Sequence, residues 1–599
     1  MNAQEALELI EAVRSGEYED AGLEVKRAQR GLPQRHFETL SAFANQAGGG
    51  VILLGVDESQ GFRLAGVEVA QTVISELTDL AGKMAPPLAL EITPVEIESK
   101  TAIVVDVPEC NYQHKPCHYG PSSMQGGSFL RVGNQNRHMS VYEVFTFVTG
   151  RGQPTFDQEL VKKASFEDLD QAALKAYFSR LKQSRHGLWQ RLRLDEKDLE
   201  GCLLTLEILG RDGDILHPTL TGLLAFGTCP QKYYPSLMIT FVRYVSTDRS
   251  QKGPRDERFM DNAQFDGRLE EMVDEAVSRC LMNMRQSTLI EGILHRDIPE
   301  YPEEAVREAL INAIAHRDYS PYMMGSQVRI EMFADRLEIM TPGGLFGPVN
   351  ESNLETTQST RNQLLMRILS EIGLVENRGS GIGAMLTSLR DAHLEPPRFQ
   401  DTRTYFTVTF SNQTLLDPET VAWLNLYASL PINPHQRTAL AYLHRHQQIT
   451  NPDYCRLNNV DSLVATRELR GLVEVGAIAM HGTRRWAYYS LVDKATAPQI
   501  TTGVLPEINP RQQAALEYLR KHGQITSADY VRLANGKITQ RTAQNDLSKL
   551  GKMGLLRQIG SKRATYYVLI SKNFRNSSLC TRNFPRYQIE ADYTRRYNA

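Results

Sequence analysis

REALINAIAHRDYS, residues 307–320, decides how the middle of the chain is read. Ala309, Leu310, Ala313 and Ile314, with Ala305 upstream, form an apolar stripe at helical spacing, and Pro302 presets a first turn. The stretch therefore predicts a helix from 303 to about 316 packed on a sheet. Glu308 and Asn312 stand at i and i+4 and share one face. Past His316, Arg317 and Asp318, SQVRIEMFADRLEIMTPGGL alternates apolar and polar residues on both sides of Ala334–Asp335, the pattern of a β-hairpin ending in Gly343–Gly344. NRGSGIGAMLTSL then opens another helix with glycines at 379, 381 and 383, a turn whose backbone N–H groups can cradle phosphates.

A chain of 599 residues exceeds one hydrophobic core and divides into several domains. With 41% hydrophobic and 23% charged residues it has ordinary globular composition, and no apolar run approaches the roughly 18 residues that span a bilayer. The acidic start, MNAQEALELIEAVRSGEYED, lacks the basic flank and apolar core of a signal peptide, and seven scattered cysteines suit reduced thiols. The expectation is a cytoplasmic protein with no membrane partner. Cys110, His114, Cys117 and His118 lie close in sequence, but their spacing matches no standard zinc finger.

The net charge of −3 conceals an asymmetry: from Pro431 onward 25 Lys+Arg face 11 Asp+Glu, a balance of +14, which leaves −17 for the rest. The basic end is a repeat. NPHQRTALAYLHRHQQITNPDYCRL from Asn433 returns as NPRQQAALEYLRKHGQITSADYVRL from Asn509, and Tyr488–Tyr489 return as Tyr566–Tyr567. Each copy reads as three helices followed by a two-stranded hairpin with a basic tip, the winged helix-turn-helix pattern, at 431–493 and 505–571. Thr539, Gln540, Arg541, Gln544 and Asn545 open the third helix of the second copy with groove-facing donors and acceptors. Arg484–Arg485 and Lys562–Arg563 at the hairpin tips suit phosphates. DSLVATREL in the first copy is mostly apolar or acidic, so the second copy is expected to read bases. A basic aromatic tail occupies 572–599.

The order of E-x-x-x-N helix, hairpin ending in Gly-Gly and Gly-x-Gly-x-Gly turn resembles the GHKL-type ATP-binding fold of gyrase, Hsp90, histidine kinases and MutL. More closely, YPEEAVREALINAIAHRDYS, DRLEIMTPGGL, STRNQLLMRILSEIGLVENRGSGIGAM and HPTLTGLLAFGTCPQKYYP resemble the bacterial RecG-related ATP-binding regulators. The resemblance implies an α/β sandwich at 291–413, preceded by a mixed connecting region at 151–290. It implies that Asn312 holds Mg²⁺ against the phosphates of ATP and that Glu308 orients an attacking water, a weak ATPase. Gly343, Gly344, Gly379, Gly381 and Gly383 would approach the nucleotide, with the stretch between Gly344 and Gly379 as a mobile lid. Thr341 stands where gyrase-like proteins carry the Asp that accepts the adenine amino group.

AFANQAGGGVILLGVDESQGFRLAG and SFLRVGNQNRHMS resemble the Alba-like domain of Schlafen proteins, implying a nucleic-acid-binding α/β domain at 1–150. A strand with Glu24 and Lys26, a helix through FETLSAFANQAGG and the strand VILLGVD read as a βαβ-like unit. Some Schlafen domains cleave RNA with three carboxylates; Glu19, Glu24 and Asp57 stand in matching positions, able to hold Mg²⁺ or Mn²⁺, with Lys26 beside the scissile phosphate. Glu24 can equally pair with Lys26 or Arg27, and Asp57 can be a turn acid. The expected fold is multidomain α+β. The expected function is an ATP-binding, DNA-binding transcriptional regulator, at least dimeric. The alternative is a nucleotide-gated nuclease acting on RNA or DNA, and a third reading is an assembly scaffold. The G-x-x-x-x-G-K-[ST] phosphate loop of helicases is absent from the chain.

Overall fold

The computed structural model describes the chain apart from residues 1–2, 15–21, 34, 196, 254–255, 292–293, 376–380, 393, 413–419, 421–422, 428–429, 483–486, 493–509, 523, 535–537, 553–555, 560–565 and 570–599. It is a mixed α+β protein with several sheets, divided into two compact units, Met1–Lys494 and Ala495–Ala599. Among the described residues no helix is long and apolar enough to cross a membrane.

The first sheet has four strands in the order Leu23–Lys26, Gly50–Leu54, Lys100–Val107, Glu91–Ile97. Leu23–Lys26 runs parallel to Gly50–Leu54, and the helix His36–Asn45 connects them. Every residue of Gly50–Leu54 is buried, because apolar clusters cover both faces of the sheet: Leu40 and Phe43 with Ile52 and Leu54 on one, Ile10 and Val13 with Val51 and Leu53 on the other. Gly50 lies against the Phe43 ring, where an added Cβ would come within 2.3 Å.

The second sheet has six strands, in the order Phe259–Phe265, Ile239–Tyr244, Val328–Met332, Arg336–Pro342, Tyr405–Ser411, Arg398–Asp401. The hairpin at Ala334–Asp335 forms its centre, pairing Met332 with Leu337. Two strands and the helix Leu269–Asn283 come from the 151–290 segment, expected only to connect. Ile239–Tyr244 joins by parallel pairing to Val328–Met332, a non-local contact that local periodicity does not reveal. Phe259–Phe265 is an edge strand, FMDNAQF, whose Phe259 and Met260 are exposed, so it lacks an alternating signature. The helix Glu303–Ala315 packs on this sheet through Ala305, Val306, Ala309, Leu310, Ala313 and Ile314.

Each basic repeat folds as three helices and a hairpin. The first has Pro434–Arg445, Asn451–Asn458, Ser462–Glu474 and strands Ile478–His481 and Tyr488–Leu491; the second has Pro510–His522, Ser527–Leu533, Gln540–Lys552 and strands Leu556–Ile559 and Tyr566–Leu569. Both second helices begin with a capping box, Thr450 with Asp453 and Thr526 with Asp529.

Candidate functional site

A pocket of about 240 Å³ opens beside the Glu303–Ala315 helix, lined from that helix by Glu308, Asn312 and His316. These residues stand at i, i+4 and i+8, so one face of the helix runs along the pocket for about 12 Å. Ile339, Thr341, Gly343 and Gly344 supply the sheet side, Phe346 to Thr360 a loop wall, and Gly381, Ile382 and Met385 the opposite helix.

The Asn312 amide donates to Glu308 Oε1 at 3.0 Å, which fixes the pair and turns the amide oxygen away from the carboxylate. Gly381 starts the helix Gly381–Asp391 directly against this pair: a Cβ there would meet Glu308 Oε1 at 1.7 Å. Gly343 has φ +94°, and a Cβ on it would meet the Arg361 guanidinium at 2.4 Å. Gly344 closes against Asp401 and Arg403. Gly383, in the first turn of the same helix, is exposed, and a Cβ on it would meet nothing within 4 Å. The free backbone N–H groups of this first turn point out of the helix end along its axis. Gly379 lies outside the described residues.

The charged cluster at the helix end divides into different roles. Arg317 is buried, donating to the carbonyls of Asp318 at 3.1 Å and Met323 at 2.9 Å, and so shapes the following loop. Buried Asp318 accepts from Tyr142 Oη at 2.7 Å and the Ser320 N–H at 2.8 Å, with Arg361 at 3.6 Å. Only His316 faces the pocket; burial, and then the charge of Arg361, hold its imidazole down at about 4, so it is neutral at pH 7. Thr341 donates its hydroxyl to Ala313 O at 2.5 Å, and Asn362 donates to Ala315 O at 3.0 Å. Both satisfy carbonyls that the helix end leaves open. His316 was legible only as part of a charged run, and Glu355, Gln358 and Ser359 in the wall carried no sequence signal.

The Gly344–Gly379 stretch is not one lid. Gln363–Glu371 is a helix whose Leu364, Leu365, Ile368 and Leu369 are buried, and the Asp157 carboxylate accepts from its Leu365 N–H at 3.1 Å. The irregular wall before it touches the first basic repeat: Arg456 Nε lies 3.3 Å from Glu355 Oε1, and Arg456 Nη2 donates to Glu351 O. His446 Nε2 lies 3.1 Å from Glu395 Oε1.

The pocket fits a nucleotide with a divalent cation in the donor chemistry it presents. A neutral amide oxygen beside a carboxylate suits hard Mg²⁺, and glycines stand where any side chain would close the space. A bound cation would neutralise charge on phosphate oxygens.

In the N-terminal sheet, buried Glu24 meets Lys26 Nζ at 2.6 Å and Arg131 Nη1 at 2.6 Å. Asp57 accepts from the Ser59 N–H at 3.1 Å and Oγ at 2.6 Å, capping the turn Glu58–Gln60, with Arg27 at 3.7 Å. Glu19 lies outside the described residues, and among the described residues no three His, Cys, Asp or Glu side chains gather as a metal site. Thr539, Gln540, Arg541, Gln544 and Asn545 are all exposed at the start of the third helix of the second repeat. Arg484, Arg485, Lys562, Arg563 and the 572–599 tail lie outside the described residues.

Residues 19–140 match the family model described as "Schlafen, AlbA_2", residues 146–240 a domain of unknown function (DUF8451), and residues 325–410 the model described as "Putative ATP-dependent DNA helicase recG C-terminal". No curated protein matches significantly. Similar solved structures include the DIP2311 protein from Corynebacterium diphtheriae, with 15% identity, TM-score 0.34, and 95% of this chain and 99% of that one covered. Another is the N-terminal domain of a RecG-related protein from Nitrosomonas europaea, with 28% identity, TM-score 0.19, and 24% of this chain and 95% of that one covered. The chain thus carries a Schlafen AlbA_2 domain near its start and, at residues 325–410 in its middle, a RecG-related domain of the ATPase type.

Proposed function

We propose that this protein is an ATP-binding, DNA-binding regulator in which the nucleotide state of the central pocket alters how the basic repeats engage DNA. The observation that carries this reading is the pocket wall. The segment that lines the cavity beside Glu308 and Asn312 also holds Glu351 and Glu355, the groups that Arg456 of the first repeat grips. A ligand that reorders this wall acts directly on the repeat. In this reading the sheet and helices around the pocket form a GHKL-type sandwich, the N-terminal domain is Alba-like, and the repeats are winged helices. Asn312 holds Mg²⁺, Glu308 is positioned to accept a proton from water, and His316 contacts the nucleotide from the opposite end of the helix.

The nuclease alternative is the weaker one. Glu24 is paired with Lys26 and Arg131, and Asp57 accepts from Ser59 through Oδ1 with Arg27 3.7 Å from Oδ2, so both carboxylates already face cationic side chains. Calorimetric titration of the full chain with a non-hydrolysable ATP analogue and Mg²⁺ tests the assignment. Asn312→Ala should abolish Mg²⁺-dependent binding, at least tenfold in Kd, with an unchanged circular dichroism spectrum. Unchanged affinity would remove the central assignment.

A further inference from the structure

Behind the pocket, the Gly343–Gly344 turn rests on side chains from distant parts of the chain. Asp318 stands directly against Gly343: its N–H donates to Pro342 O at 2.9 Å, and a Cβ on Gly343 would meet the Asp318 Cβ at 2.6 Å. Arg361 Nη2 donates to Gly344 O at 2.9 Å, and its Nη1 lies 3.6 Å from Asp318 Oδ2. Gly344 and Arg361 flank the loop wall of the pocket, so this one side chain closes the wall on itself.

The Asp318 and Arg361 side chains are 4% and 5% exposed, and a buried ion pair offsets its desolvation only where further hydrogen bonds satisfy its atoms. Asp318 Oδ1 accepts from the Ser320 N–H at 2.8 Å. Oδ2 accepts from the Tyr142 hydroxyl at 2.7 Å, a much closer donor than Arg361.

Tyr142 arrives from the N-terminal domain. It lies in the first turn of the helix Val141–Gly150, where Glu143 accepts from Arg137 Nη2 at 2.6 Å and Phe147 joins Leu130 and Met139 in an apolar cluster. Those contacts fasten the helix to the N-terminal domain. Tyr142 and Phe145, at i and i+3, instead meet Tyr322, with ring centroids 5.8 and 4.7 Å away. Burial, and then the charge of Asp318, push the Tyr142 hydroxyl up, so it is a donor at pH 7. Past the helix, Gln153 Nε2 donates to Arg361 O at 2.7 Å and Thr360 O at 3.2 Å, holding the far end of the wall from the same side.

Given the nucleotide reading of the pocket, on which this inference rests, we propose that Tyr142 is a positioning residue for that site. Through Asp318 and Arg361 it holds the Gly343–Gly344 turn in the form that receives the ligand, so the N-terminal domain completes the pocket. The coupling is reciprocal: whatever shifts the Val141–Gly150 helix changes affinity at the pocket, and a ligand on the turn bears on the helix.

The test compares the full chain with Tyr142→Phe, Asp318→Asn and the double variant. Each is titrated by calorimetry with a non-hydrolysable ATP analogue and Mg²⁺, and its hydrogen exchange is followed without nucleotide. Tyr142→Phe keeps the ring and removes only the donor. It should weaken the analogue by about fivefold or more, the lower end for coupled sites, and quicken exchange at residues 343–346. Exchange in the strands Gly50–Leu54 and Lys100–Val107 should stay as in the parent. Because Tyr142 acts through Asp318, the double variant should bind no more weakly than Asp318→Asn alone. If Asp318→Asn does not fold, Arg361→Lys takes its place in the cycle, with the same non-additivity expected. Additive losses, unchanged affinity for the analogue, or unchanged exchange at 343–346 in Tyr142→Phe overturns the proposal. A parent chain that takes up no analogue removes the nucleotide reading instead; quickened exchange at 343–346 then still supports the positioning role, and unchanged exchange overturns it.

Discussion

The two basic repeats descend from one pattern and have diverged in what they hold. Their interiors still agree. Tyr454 of the first donates to Glu468 at 2.9 Å, as Tyr530 of the second does to Asp546 at 3.3 Å. Tyr442 stacks on His446 at 4.1 Å, and Tyr518 on His522 at 4.0 Å. Their surfaces disagree. Where the second repeat places exposed Arg541, the first places Leu463, 84% exposed, and the first copy's Ser462 and Thr466 are hydrogen-bonded to Asn451. Arg456 reaches the pocket wall, whereas its counterpart Arg532 lies 3.8 Å from Asp529 within its own repeat. A duplicated fold keeps its core because packing constrains it, and its outward side chains are free to take separate work: the first copy holds the pocket wall through Arg456, and the second keeps Arg541, Gln544 and Asn545 exposed at the start of its third helix.

The largest expected difference lies in DNA binding. Under the proposed function, Arg541→Ala should weaken a selected duplex by about 1–3 kcal/mol, which is 5- to 150-fold, and flatten the preference over random duplex. Leu463→Ala should leave both affinities within twofold in the same electrophoretic or anisotropy titration. Lys562→Ala should reduce binding to all sequences alike, with a shallower salt dependence. Equal losses on specific and random duplex from Arg541→Ala would erase the distinction between the copies.

How far the sequence reaches follows the same division between local pattern and distant partner. The Glu303–Ala315 helix, its Glu308–Asn312 face and the hairpin at Ala334–Asp335 rest on short-range periodicity, and the structure forms them where that periodicity places them. The parallel βαβ unit around His36–Asn45 is legible for the same reason. Glu24 was ambiguous because the guanidinium that neutralises it, Arg131, is far away in the chain. The roles of Arg317 and Asp318 are not legible locally, because the fold brings the Met323 carbonyl to the one and the Tyr142 hydroxyl to the other.

The next contrast is in the conserved interior. Tyr454 is fully buried and its carboxylate partner is also held by Asn433 at 2.7 Å, while the Asp546 carboxylate has Arg511 at 3.7 Å and a longer bond to Tyr530. Removing a hydrogen bond to a charged group costs about 1.5–3 kcal/mol, so Tyr454→Phe should lower the opening free energy of Ser462–Glu474 by about 1.5 kcal/mol. Tyr530→Phe should lower that of Gln540–Lys552 by about half as much, both read by native-state hydrogen exchange on the full chain. A larger loss in the second repeat would show that the shorter bond is not the stronger support.

The smallest effect is the most telling about coupling. The Arg456–Glu355 pair is partly exposed, with 22% and 34% side-chain accessibility, and such pairs contribute about 0.2–1 kcal/mol. Arg456→Ala also removes the donation to the Glu351 carbonyl, so the wall at 345–360 loses two anchors at once. Its amide exchange should quicken by up to about fivefold, the upper end of that range. Arg532→Ala should leave those amides unchanged, because Arg532 pairs within its own repeat. A wall that is indifferent to both variants would mean that the first repeat is held instead around Glu395, which His446 Nε2 meets at 3.1 Å and Arg445 Nη1 at 3.8 Å, and His446→Ala would then be the substitution that loosens it.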